Sequence, residues 1–335
     1  MVRFGIIGCG FIANLHADAV NNIKQARLTG AYDANAETGR NFAHKYGIEF
    51  YGSVADLFSN VDAVCVCTPS GFHKQYAVEA AKAGKHIVVE KPLALTVSDC
   101  DEIIKACDAA KVKSTVISQL RYSDAVNKLK AAIEKGYLGK LVSGGVYMKY
   151  YRSPEYYANS WRGTRALDGG GALINQGIHG VDLLQYVMGD VKKVYGIAKT
   201  LARNIEVEDT LCAAVEYQSG AIGVIEATTS VFPGFKRRME ICGDKGSVIL
   251  EEDEITFFEF EDKKIKFECG KGSGRYSSSN PENISAAGHL KQISDFVGCI
   301  INGKRHFIDC QEGKKAVKII TSIYQSALEN RAIFL

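Results

Sequence analysis

The chain of 335 residues is 46% hydrophobic and 24% charged, ordinary for a globular protein and long enough for two domains of roughly 100–200 residues each. Lys and Arg outnumber Asp and Glu by only 41 to 38, a balance that argues against a nucleic-acid binder or a basic membrane-surface protein. Arg3 and the early glycines interrupt the opening apolar run, and no stretch reaches the roughly 18–20 apolar residues that span a bilayer, so a cytoplasmic protein without a membrane segment is expected.

The first part of the chain alternates short β-branched runs with helix-period segments. Strands are predicted at Val2–Gly8, Arg27–Asp33, Ala63–Thr68, His86–Glu90 and Ser114–Ser118, with helices at Asn35–Tyr46, His73–Ala83 and Val97–Ala110. That alternation implies βαβ units around a doubly wound parallel sheet of the Rossmann type, and the nearly all-apolar strands suit a sheet covered on both faces. After about residue 120 the pattern changes. A helix at Ala125–Lys135 and a strand near Leu141–Tyr150 precede a helix-period block at Gly171–Met188. Strands then crowd together at Val191–Ala198, Asp209–Tyr217, Ala221–Ser230, Arg238–Cys242, Ser247–Leu250 and Glu254–Glu261. Neighbouring strands without intervening helices predict an α+β domain with an open, mostly antiparallel sheet. Gly270–Asn280 reads as a surface loop, and helices near Ala287–Ile301 and Gln311–Glu329 close the chain. The division expected is a first domain over 1–120 and a second over 121–335, with the helices near 311–335 packing back on the first.

Ten cysteines (9, 65, 67, 100, 107, 212, 242, 269, 299 and 310) form no paired CxxC units and no Cys/His cluster of zinc spacing. Most sit in apolar runs and are expected to be buried thiols in a reducing compartment, with no metal site.

The first strand runs into Gly8-Cys9-Gly10-Phe11-Ile12-Ala13, a G-x-G-x-x-A turn. Gly8 permits the turn, Gly10 lets the backbone approach a pyrophosphate, and Ala13 lets helix and strand pack closely; the helix that opens at Phe11 and Ile12 aims free N–H groups at the phosphates. Asp33 lies 20 residues beyond Ala13, where a carboxylate hydrogen-bonds the adenine ribose, or else caps the next helix. It favours NAD over NADP, although Arg40 in the following helix keeps NADP within reach. Loops after the strands line the ligand crevice in such sheets, which places Thr68, Pro69 and His73 near the cofactor.

Glu90-Lys91-Pro92 ends a strand at the same edge, where Lys91 is positioned to stabilise an alkoxide. In the Gly169–Asp182 block, Asn175, His179, Asp182 and Tyr186 follow at steps of four, three and four, giving a polar stripe beside an apolar one. Histidine ordinarily titrates near neutral pH, which suits His179 to proton abstraction, and a structural histidine is the alternative.

Gly8–Ala13, Glu90-Lys91-Pro92, Trp161-Arg162, Gly169–Asp182 and the later His289, Asp295-Phe296 and Glu312-Gly313 stand in the order of the Gfo/Idh/MocA oxidoreductases, which the chain resembles along essentially its whole length. The resemblance implies hydride transfer between NAD(P) and a secondary hydroxyl of a sugar, cyclitol, sugar nucleotide or related polyol, and a homodimer or homotetramer packed through the second sheet. Carried over by position, Lys91 and His179 are the catalytic pair, while Glu90, Gln119, Trp161 and Arg162 border the cofactor. Many members have aspartate where Asn175 stands; an amide holds a hydroxyl but accepts no proton at neutral pH. Asn175 is therefore assigned to positioning substrate, with Asp182 orienting His179. The Trp-Arg-Gly-Thr and Asn-Gln-Gly-Ile-His runs resemble sugar-nucleotide 3-dehydrogenases. Two rival readings keep the fold: a catalytically silent NAD-binding regulator, against which Lys91 and His179 speak, and an NAD-assisted glycoside-cleaving enzyme.

Overall fold

The computed structural model describes residues 1–158, 161–267 and 286–335. Cys269 and the loop expected at 270–280 lie outside them. The chain divides into two compact units: 1–119 with 286–314, and 120–285 with 315–335.

In the first unit, β1 (Val2–Ile7), β2 (Ala26–Tyr32), β3 (Glu49–Phe50), β4 (Ala63–Val66), β5 (His86–Val89) and β6 (Ser114–Val116) form one sheet in the order β3-β2-β1-β4-β5-β6, with every pair parallel. The order reverses between β1 and β4, so a crevice opens beyond their C-terminal ends. All of β4 is buried, as expected for a strand covered on both faces. The connecting helices are α1 (Phe11–Asn21), α2 (Ala36–Tyr46), α3 (Val54–Asn60), α4 (His73–Lys82) and α5 (Val97–Ala110). Local chemistry sets their ends: Asn35 Oδ1 accepts the Glu37 and Thr38 N–H groups at the start of α2, and Gly47 closes it at φ 62°. Asn35, rather than Asp33, is thus the cap of this helix. The short β3 and α3 carry too few residues to show a period in sequence.

The second unit contains α6 (Asp124–Glu134), β7 (Leu141–Lys149), α7 (Pro154–Tyr157), a π-helical turn at Ala172–Gly177 and α8 (Ile178–Met188). Its remaining strands are β8 (Val191–Lys199), β9 (Thr210–Tyr217), β10 (Ile222–Thr228), β11 (Arg238–Gly243), β12 (Gly246–Glu251), β13 (Glu254–Phe260) and β14 (Ile333–Phe334). With β7 they make an eight-stranded sheet in the order β13-β12-β11-β7-β10-β9-β8-β14, antiparallel except where β7 runs beside β10. The fold class is as the alternation of elements predicts.

The helices α9 (Ala286–Ile301) and α10 (Cys310–Glu329) end the chain. The expected return of 311–335 to the first domain is corrected: the returning segment is 286–314, and most of α10 belongs to the second unit. Ile293, Phe296 and Val297 are fully buried in the core that holds Phe4, Ile6, Val20 and Val88, and α9 lies against α1. That apolar face is what recruits α9 across 166 residues of intervening chain, 120–285. Phe296→Ala should therefore destabilise the protein by about 3–5 kcal/mol, read as a lowered urea midpoint; a loss below about 1 kcal/mol would show α9 to be dispensable to this core.

Candidate active site

At the head of α1 the turn is built as its glycines require. Gly8 stands at φ 88°, and a Cβ there would lie 2.8 Å from the Thr68 backbone nitrogen. A Cβ on Gly10 would meet nothing within 4 Å, so this loop has an open flank. No side chain caps α1, which leaves its first N–H groups to an anionic ligand. Ala13 is fully buried, Phe11 is exposed and Ile12 half-buried. Asp33 ties the turn together: one carboxylate oxygen accepts the Cys9 N–H at 2.7 Å and the other the Asn35 N–H at 2.8 Å. Arg40 lies over the Phe50 ring, 5.6 Å from its centroid.

Beyond β4 and β6, Thr68 Oγ1 and Gln119 Oε1 are buried and have no hydrogen-bond partner. Orphaned polar atoms of this kind call for a ligand group to satisfy them. With the uncapped helix and the open flank at Gly10, they make the crevice fit a dinucleotide. Pro69 leads into the short turn Ser70–Phe72 at the same edge. His73 does not face that crevice. It is 1% exposed, and its ring nitrogens lie 2.7 Å from the Pro92 carbonyl oxygen and 3.0 Å from that of Thr68. Both are engaged in bracing two loops, which corrects its assignment to the cofactor.

Glu90 is corrected in the same way. Its carboxylate is buried, with Oε1 2.8 Å from His16 Nε2 on α1 and 3.3 Å from His289 Nε2 on α9, and Oε2 accepts the Lys91 backbone N–H at 3.0 Å. The ligand atoms of His16, Glu90 and His289 lie within 4.8 Å of one another, a cluster that sequence spacing cannot reveal. Both Nδ1 atoms are buried without partners. A metal-bound imidazole normally donates its other N–H to an acceptor. This arrangement instead suits two imidazoles each donating Nε2–H to one carboxylate. Burial lowers the His16 pKa below its ordinary 6.5 despite the contact with Glu90. For Glu90 burial acts to raise the pKa, but the bonds from His16 and His289 outweigh it and hold the carboxyl well below 4.5. Lys91, half-buried, follows directly on this clamped residue.

In the second unit, Gly169–Gly171 lead into the π-helical turn, and no side chain fits at the last of them: a Cβ on Gly171 would stand 1.8 Å from the Glu208 carbonyl oxygen. The Glu208 carboxylate caps the turn, accepting from the Gly171 and Leu173 N–H groups at 2.8 and 2.9 Å and from the Tyr324 hydroxyl at 2.8 Å. Burial raises its pKa against these bonds. Asn175 and His179 follow, both half-buried. Asn175 Nδ2 donates to Asp168 Oδ1 at 2.5 Å. The polar stripe ends there. Asp182 is 5% exposed, and its two oxygens accept from Arg121 Nη2 and Nε at 2.6 and 2.9 Å, while Arg121 also lies over Tyr186. The carboxylate anchors a buried guanidinium, which corrects its assignment as the group that orients His179. Trp161 and Arg162 are in this unit, with the Arg162 guanidinium 4.6 Å from the Tyr156 ring centroid and 5.3 Å from that of Trp161.

Asp168, Glu208, Arg121 and His16 escape sequence reasoning. His16 carries a signal, since it falls three residues after Ala13 on the inner face of α1. Asp168 directly precedes the glycine run. Glu208 and Arg121 stand 35 and 61 residues from the groups they hold, at no motif.

These features define an NAD-binding oxidoreductase. The family model for the oxidoreductase family with an NAD-binding Rossmann fold matches residues 2–118, and that for the GFO/IDH/MocA C-terminal domain matches 126–249. The chain belongs to the Gfo/Idh/MocA oxidoreductases. It is similar to the WlbA dehydrogenase from Bordetella pertussis, solved in complex with NADH and UDP-GlcNAcA: 33% identity, a TM-score of 0.89, and coverage of 100% of this chain and 98% of that one. It is 27% identical to a myo-inositol 2-dehydrogenase of Thermotoga maritima, over 100% of this chain and 98% of the relative. It is 31% identical to a 1,5-anhydro-D-fructose reductase of Ensifer adhaerens, over 74% and 75%.

Because His16 is held neutral and Glu90 charged, the unfolded chain binds protons in acid that the folded chain refuses, so stability falls as the pH drops below 6.5. His16→Gln should flatten the part of the slope of the urea midpoint that lies between about pH 6.5 and 5. Parallel profiles for the variant and the wild type would contradict the clamp.

Proposed function

We propose that the chain transfers a hydride between NAD and a secondary hydroxyl of an acidic UDP-sugar of the UDP-GlcNAcA kind. The observation that carries this reading is the full-length likeness to the WlbA dehydrogenase, whose structure holds NADH with that compound. The cations of the second unit support it. Arg162 lies over the Tyr156 ring and Arg203 over that of Tyr151. Guanidinium groups held on aromatic faces suit carboxylate or phosphate oxygens.

Gly8, Gly10, Phe11, Ile12, Ala13, Asp33, Thr68, Pro69 and Gln119 would hold the cofactor, with Trp161 and Arg162 assigned beside it by resemblance. The Asp33 carboxylate disfavours a 2′-phosphate and so selects NAD over NADP. When bound, the nicotinamide supplies the hydride acceptor. His179 takes the hydroxyl proton, Lys91 stabilises the negative charge on the carbinol oxygen, and Asn175 holds the substrate. Glu90 fixes the peptide from which Lys91 projects.

Two further readings belong to this proposal. The described cysteines are all free, and Cys9, Cys65, Cys67, Cys100, Cys107 and Cys310 are buried, in keeping with a cytoplasmic setting; Cys212 is exposed. Among the described residues no helix is long and apolar enough to cross a membrane. On the open face of the second sheet Tyr195, Ile197, Ile222, Phe257 and Phe334 are exposed, and the cross-strand register sets them on one side. Such a face supports self-association through the sheet.

The enzyme should form NADH from NAD and UDP-GlcNAcA, and do so faster than with UDP-GlcNAc, which lacks the carboxylate, or with myo-inositol. Lys91→Met should abolish turnover while NAD still binds in a calorimetric titration. An active Lys91→Met variant would sink the assignment of the lysine, and absence of NADH with every UDP-sugar would sink the substrate class.

A further inference from the structure

The Asn175 amide is fixed at both ends. Its Nδ2 donates to Asp168 Oδ1 at 2.5 Å, and its Oδ1 accepts from Gln176 Nε2 at 3.1 Å. Both partners are themselves held. Asp168 is 2% exposed and its other oxygen accepts the Gly163 backbone N–H at 2.8 Å. Gln176 Oε1 accepts from Arg152 Nη2 at 2.7 Å, while Gln176 Nε2 also donates to the Tyr156 hydroxyl at 3.0 Å. An amide has a donor end and an acceptor end, and only the donor end can face a carboxylate. Asp168 therefore decides which way the Asn175 amide points.

We propose that Asp168 is a positioning residue for substrate binding: with Asn175 it forms a carboxylate–amide pair that aims the amide and admits no second carboxylate at position 175. The inference rests on Asn175 facing the substrate, as proposed above. It accounts for asparagine at this position by a local physical cause. An aspartate at 175 would bring two carboxylates into hydrogen-bond contact, and one of them would have to carry a proton. The site would then titrate as a coupled pair with at least one carboxyl pKa raised. The pair also joins the glycine-rich turn to the Arg152 and Tyr156 cluster through Gln176, so that a change at Asp168 reaches both.

The test has two arms on the full-length protein. The first needs no substrate: urea midpoints are measured across the acid-to-neutral range for wild type, Asn175→Asp, and the exchange Asp168→Asn with Asn175→Asp. A carboxyl whose folded pKa is raised contributes stability below its unfolded pKa that is lost as the pH rises through the folded value. Asn175→Asp should accordingly show a deficit that grows toward neutral pH, and the exchange, which restores one amide to one carboxylate, should remove it. A deficit independent of pH, or one that the exchange leaves in place, overturns the pair. If Asn175→Asp yields no folded protein, folding of the exchange variant supports the proposal and its failure to fold overturns it. The second arm is kinetic. Asp168→Asn should lower kcat/KM for UDP-GlcNAcA at least tenfold with the NAD dissociation constant unchanged, and an unaltered kcat/KM would remove the positioning role. Should the wild type oxidise no UDP-sugar, the substrate proposal fails, while the stability arm still decides whether Asp168 and Asn175 act as a pair.

Discussion

A buried carboxylate must be paired or it is protonated, and Glu90 is paired on every side. His16 comes from the helix that opens at the glycine turn, His289 from a helix 199 residues beyond Glu90, and the remaining bond goes to the peptide of Lys91. One anion thus ties the cofactor turn, the strand end that bears the lysine and the returning segment 286–314 into a single unit. The apolar face of α9 brings His289 into place, and the carboxylate rewards only one register of that helix. Packing and charge pairing agree, which is the condition for a well-defined site.

The second unit meets a related constraint at the start of its π-helical turn. Free N–H groups at a helix head must be satisfied, and here the Glu208 carboxylate does so beside Gly171, where a Cβ would meet the Glu208 backbone. Asn175 and His179 are therefore carried on an element whose head is fixed. Farther along, the stripe is closed by the ion pair of Arg121 with Asp182. Removing either member would strand the other in a buried setting, a loss of about 3–5 kcal/mol by analogy with other buried pairs.

The parallel sheet was legible because its strands are apolar on both faces and end in recognisable turns; the glycine turn joins β1 to α1, as a G-x-G-x-x-A run predicts. The antiparallel sheet was legible from closely spaced runs without helices between them. What could not be read depends on distant partners. Asp182 falls on the helical stripe with His179, and only the fold reveals Arg121 against it. His73 and Glu90 sit at the crevice edge in sequence, yet burial turns their polar atoms inward as braces. The two-residue strands β3 and β14 are too short to carry a period, and no local signal says that 286–314 rather than 311–335 rejoins the first unit.

In the function proposed above, Lys91 would act from a backbone held by the buried Glu90 carboxylate. A single-turnover experiment tests it most directly, with wild-type and Glu90→Gln enzymes saturated with NAD and mixed with UDP-GlcNAcA while NADH absorbance is followed. Hydride transfer should slow by at least about tenfold in the variant, the equivalent of about 1.4 kcal/mol of lost transition-state stabilisation, with NAD affinity unchanged. Equal rates in the two enzymes would contradict it.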